Sequence, residues 1–125
     1  MSQQPVVDKK QIGLTSVGQA ALEVLMADGR FATETDAYRF CISYAIASAL
    51  DLDSAPQGGY ATKFNAIGGV DIGSGIRDLL DVLGIGDPHR PYATAEKLAE
   101  MGVTEVARRL GESESLADIM AYVSG

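Results

Sequence analysis

Between Ala37 and Leu50, eleven of fourteen residues are apolar, and only Arg39, Ser43 and Ser48 interrupt the run. Thr33 precedes it, with Asp36 three residues on. That pairing is a helix start, in which a threonine side chain accepts from a free backbone N–H and an acid sits in the first turn. A helix that is apolar nearly all round must be covered on most of its sides. In a chain of 125 residues, the simplest cover is a second copy, so the run points to a homodimer. Its most apolar part, Phe40 to Leu50, has 11 residues, well short of the about 20 that a membrane crossing needs. The N-terminus shows neither a basic nor an apolar leader segment. The single cysteine, Cys41, excludes an intramolecular disulfide and fits a reducing compartment. The expectation is a soluble cytoplasmic protein that does not engage membranes.

The flanking segments have simpler patterns. Residues 1–7 read as a tail. From Asp8 to Thr15, Ile12 and Leu14 alternate with Gln11, Gly13 and Thr15, the period-two signature of a strand. Ser16 and Gln19 have the spacing of a capping box, and Val17, Ala21 and Val24 or Leu25 recur at helical spacing. Asp28-Gly29 closes that helix.

Strand, helix, glycine-containing turn and apolar helix follow in order over residues 9–50. The residues that matter are Gln11-Ile12-Gly13-Leu14-Thr15, Ser16 to Ala27, Gly29-Arg30-Phe31 and Thr33-Glu34-Thr35-Asp36-Ala37-Tyr38-Arg39-Phe40. This stretch resembles the ribbon-helix-helix (Arc/MetJ/CopG-like) family. The resemblance implies an obligate dimer whose two strands form an antiparallel ribbon in the DNA major groove. It implies that Ile12 and Leu14 face a shared core, which Leu25, Phe40, Cys41 and Tyr44 complete. Gln11, Gly13 and Thr15 would face bases, Lys9 and Lys10 would lie beside the phosphates, and Thr33 would bring a helix N-terminus to a phosphate. Gly13 carries no group that reads a base edge. Glu34 suits the helix dipole but repels a phosphate.

The remaining chain divides at a composition change. Residues 8–52 are expected to form the dimerisation domain, 53–75 a glycine-rich connection, and 76–125 a small helical module. The connection holds Pro56 and six glycines, with a weak strand pattern over Tyr60 to Ile67. Ile76, Leu79, Leu80 and Leu83 follow i, i+3, i+4, i+7, and Gly84 closes that helix. Tyr92 to Met101 reads as a helix closed by Gly102. Thr104 is expected to cap another, and Ser115 a last one.

Charge separates the halves. Residues 1–50 carry four basic and five acidic side chains, a net −1; residues 51–125 carry six and twelve, a net −6. The second half therefore repels a phosphate backbone. Residues 103–122 have the outline of a helix-turn-helix, but the second helix lacks Arg and Lys, so they read as a helical hairpin. Gly68 to Gly75 has the glycine content of a phosphate nest but no P-loop lysine. One His (His89) and one Cys cannot make a zinc site of the usual ligand count. Asp78 and Asp81 fall on the solvent side of an amphipathic helix, and Arg108 and Arg109 suit a helix C-terminus. With no nucleophile, base or metal set in view, no catalysis and no cofactor are expected. The chain reads as a mainly α, ribbon-helix-helix-like homodimer with a C-terminal helical module. Its function is read as DNA binding by a small regulator, with the acidic C-terminal half contacting a protein partner through residues 76–125, sensing a ligand, or limiting non-specific DNA binding. The open alternative is an assembly or adaptor protein that uses the same fold without nucleic acid.

Overall fold

The computed structural model describes residues 7–112, 115, 116, 118 and 119. The described chain is mainly helical with one small sheet, in the order β1 (Gln11–Leu14), α1 (Ser16–Ala27), α2 (Glu34–Ala47), β2 (Ala61–Asn65), α3 (Gly75–Leu83) and α4 (Pro91–Gly111). A short 3-10 turn, Leu52–Ser54, follows α2, and one wide π-type turn, Ala66–Val70, follows β2. The last expected helix lies largely outside the described residues; of those described there, Leu116 and Ile119 are buried.

The start of α2 is as its sequence implies: the Thr33 side chain accepts from the Asp36 N–H at 3.1 Å. The start of α1 is displaced by one residue. Thr15, not Ser16, is the N-cap, because its Oγ1 accepts from the Gly18 N–H while donating to Glu100. A second difference is larger. Gly102 does not end a helix, and Thr104 does not begin one; α4 runs unbroken through both. The Thr104 hydroxyl bonds back to the Glu100 and Met101 carbonyls. At Gly102 the backbone of α2 comes so close that a Cβ would lie 2.1 Å from the Cys41 carbonyl oxygen. Tertiary packing thus outweighs the modest helix penalty of glycine, about 1 kcal/mol.

The weak strand pattern over residues 60–67 becomes β2, which pairs antiparallel with β1. Ile12 faces Phe64 and Gly13 faces Thr62, with the register shifting between Ile12 and Gly13. The strands approach so closely there that a Cβ on residue 13 would fall 1.6 Å from the Ala61 carbonyl oxygen. Glycine is therefore required at position 13 by backbone contact.

α4 is the spine. It packs against α1, α2, β1 and α3. Ile12, Leu22, Leu25, Tyr38, Ile42, Leu98 and Val103 belong to one buried cluster. The C-terminal helix thus lies on its own N-terminal half. Ile12, Leu14, Leu25, Cys41 and Tyr44 are buried and Phe40 partly buried within one chain, so the apolar run on α2 already has α4 as a cover.

Candidate functional site

The N-terminal strand and α4 meet through carboxylates. Glu96 and Glu100 lie one turn apart on α4, and both are buried. Glu96 accepts from the Gly13 N–H at 2.8 Å and is ion-paired with Lys9. Glu100 accepts from the Thr15 N–H at 3.0 Å and from its hydroxyl at 2.7 Å. The Gly13 carbonyl accepts from the buried Tyr38 hydroxyl at 2.9 Å. Just upstream, Asp8 caps α4 by accepting from the N–H groups of Tyr92 and Ala93. Buried carboxylates are costly unless hydrogen-bonded, and charge-assisted bonds of this kind offset the cost. β1 is thus held on one edge by β2 and on the other by side chains of α4 and α2.

This arrangement sorts the residues expected at a nucleic-acid surface. Lys9 is drawn down onto Glu96, with its Nζ 5.3 Å from the Tyr60 ring centroid. Burial, then Glu100 and Glu96, pushes the Tyr60 phenol up. Thr15 is consumed by Glu100, and Thr33 by the cap of its own helix. Beside Thr33, Glu34 is paired with Lys63. Lys10 and Gln11 remain exposed. They line a shallow depression with Lys9, Thr62, Asn65 and Ile67. The Lys10 side chain forms no ion pair among the described residues.

The glycine-rich nest is filled from within. The buried Asp71 carboxylate accepts from the Ile76 and Arg77 N–H groups, at 2.8 and 3.1 Å, and from the Tyr92 hydroxyl at 2.8 Å. An anion therefore already sits at the N-terminus of α3, and it is the chain's own. Burial, and then the bond to Asp71, pushes the Tyr92 phenol up to about 12. Burial pushes the Cys41 thiol up as well, which suppresses the thiolate. His89 is exposed, and its backbone N–H donates to Asp87. Arg108 pairs with Glu105 and Glu112, and Arg109 donates to the Tyr44 hydroxyl at 3.0 Å. Among the described residues no group of three or more His, Cys, Asp or Glu side chains is placed to hold a metal ion. No described helix is long and apolar enough to cross a membrane.

Sequence reasoning missed Asp8, Asp71, Glu96 and Glu100. For the two glutamates a signal was present. They fall on the same face of α4 as Tyr92, Ala95, Ala99 and Val103, and acids inside an apolar stripe mark buried, hydrogen-bonded groups. Nothing local marks Asp8 as a cap for α4, whose N–H groups lie 84 and 85 residues on, whereas Asp71, five and six residues ahead of its donors, had a local signal as an acid just before a helix start.

Among the described residues, two helices carry large apolar side chains that are exposed. On α1, Gly18, Leu22 and Leu25 face the core, while Val17, Ala20, Val24 and Ala27 are exposed on the opposite side. Val17 is 67% exposed and Val24 48%. On α3 only Leu80 is buried; Leu79, Val82 and Leu83 are 43%, 81% and 51% exposed. Comparison with protein-family models, curated proteins and solved structures finds no match to this chain.

Proposed function

We propose that this chain is a non-enzymatic binding protein, an assembly or adaptor protein that acts as a homodimer and joins partners through its helix faces. The exposed stripe of α1 carries the proposal. A surface helix ordinarily puts polar residues opposite its core-facing side. Here that side presents Val17, Ala20, Val24 and Ala27, spaced i, i+3, i+7 and i+10, with no charge among them. The one charged residue of α1 is Glu23. A neutral stripe of small and β-branched residues suits a second copy of itself, because two such faces can pack closely without opposing like charges. The test is the solution mass of the full chain, by light scattering, beside Val17→Asp/Val24→Asp. A dimeric parent and a folded monomeric variant are expected. A parent that is monomeric throughout the micromolar range sinks the reading.

A second reading is a DNA-binding regulator that uses the exposed head of β1 rather than an intermolecular ribbon, because both edges of β1 are already taken within the chain. It is favoured by Lys10 and Gln11. Both stand exposed at the head of β1 beside Thr62 and Asn65. Duplex affinity would then fall steeply with salt, and Lys10→Ala would reduce the slope by about one. Lys9→Ala is a poor probe, since Lys9 also neutralises Glu96. A salt-independent or absent association with duplex DNA excludes this reading.

A further inference from the structure

We propose that α1 pairs antiparallel with α1 of a second copy across a two-fold axis, and that this pairing brings Arg30 of each copy to the buried Glu100 carboxylate of the other. The inference rests on the dimer reading and supplies its geometry and its charged contact. Val17, Ala20, Val24 and Ala27 are separated by three, four and three residues, a spacing that reads the same from either end. In an antiparallel pair Val17 therefore meets Ala27 and Ala20 meets Val24, so each larger side chain faces a smaller one. A parallel pair sets Val17 against Val17 and Ala27 against Ala27, and the wide contact at one end then holds the narrow one apart.

Glu100 lacks a cation. It is 3% exposed, and both hydrogen bonds to its carboxylate come from Thr15. Glu96, one turn away, has the Lys9 ammonium beside it, whereas Glu100 forms no ion pair among the described residues. A buried charge is costly unless an opposite charge accompanies it. Glu100 also borders a groove of about 540 Å³, which opens beside Val17 at the N-terminal end of α1 and has Pro56, Met101 and Thr104 in its walls. The antiparallel register delivers the missing cation there. Ala27 is the last residue of α1, so Asp28 to Arg30 of one copy come to lie at the N-terminal end of α1 in the other, where the groove opens. Arg30 is exposed, and its contact with Asp28 is long, at 3.6 Å. In the dimer its guanidinium exchanges that solvated contact for a charge-assisted one with Glu100. The second copy is the fitting occupant of the groove because the residue that follows its own stripe carries the required charge.

Orientation is read by cross-linking and the charged contact by affinity, both on the full chain. Val17→Cys and Ala27→Cys proteins are prepared separately. The native Cys41 is buried, which keeps it out of the reaction. Under brief oxidation each protein alone should stay unlinked, and the mixture should form a disulfide-linked dimer. Arg30→Ala should raise the dimer dissociation constant by roughly tenfold or more, as expected for a buried charge pair. Arg77→Ala removes the same charge on α3 and should leave the constant within about twofold. Glu100→Gln should weaken the dimer about as much as Arg30→Ala, and the double variant no further, because the two residues act as one pair. Circular dichroism checks folding; if Glu100→Gln does not fold, Arg30→Ala and the cross-links decide. A dimeric parent overturns this inference, and leaves the dimer reading standing, if each cysteine protein links to itself, if the mixture fails to link, or if affinity ignores Arg30→Ala. Equal losses in Arg30→Ala and Arg77→Ala would mean bulk charge and would overturn it too. A parent that is monomeric throughout the micromolar range refutes both.

Discussion

Helices α3 and α4 are joined by a short loop and invert each other's sequence logic. α3 has the cleaner amphipathic pattern, Ile76, Leu79, Leu80 and Leu83, yet buries only Leu80. α4 is interrupted by charges and by Gly102, yet buries ten residues, two of them glutamates. Periodicity tells where an apolar face is, and it does not tell whether anything covers that face. What distinguishes α4 is its complement. The N–H groups of Gly13 in β1 and of Thr15 just after it meet Glu96 and Glu100, the Lys9 ammonium meets Glu96, and the α2 backbone fits against Gly102. α3 has one anchor of this kind, Asp71.

If that contrast is right, substitutions on α4 are far more damaging than their chemistry alone suggests. The largest effect is expected at Gly102. Gly102→Leu drives a side chain into the Cys41 carbonyl and should cost ~3 kcal/mol or more, seen as a collapsed midpoint in urea unfolding. Glu96→Ala comes next. It strands the Gly13 N–H and leaves the partly exposed Lys9 without its partner, for a loss of roughly 2–3 kcal/mol. A Glu96→Ala protein as stable as the parent would show that the clamp on β1 contributes nothing.

Asp71→Ala should act locally. It frees two N–H groups of α3 and the Tyr92 hydroxyl, for about 1–2 kcal/mol. Amide exchange should accelerate in α3 and stay unchanged in the middle of α4. Uniform acceleration would mean that the two helices open together and would erase the distinction drawn between them. The smallest effect belongs to Val82→Asp. On a side chain that is 81% exposed, it should shift stability by no more than ~0.5 kcal/mol. A large loss of stability there would mean that the α3 face is core.

Much of this was legible along the chain. The strand at Ile12 and Leu14, the Thr33 cap and the ends of α1 and α3 follow from local alternation, side-chain capping and glycine at left-handed positions. The cover for α2 was not legible. The apolar run implied a covering element, and a second copy was the simplest way to supply it. The structure supplies one from later in the same chain, because Gly102 lets the backbone of α4 approach that of α2 closely. The partner of β1 was hidden for a related reason: the Ala61–Asn65 pattern is weak, with Phe64 alone buried.

By itself, the sequence determined what depends on neighbours a few residues apart: where helices and strands begin, which faces are apolar, and how acid accumulates after residue 50. Tertiary structure decided what depends on residues far apart. It set which apolar face is covered, which lysine remains available, and whether the nest before α3 is open or already holds Asp71. The first two outcomes turn on groups brought within a few ångströms from distant parts of the chain, and the third is completed by the Tyr92 hydroxyl, 21 residues from Asp71. Local propensity carries no information about such meetings, because their energy exists only once the chain has folded.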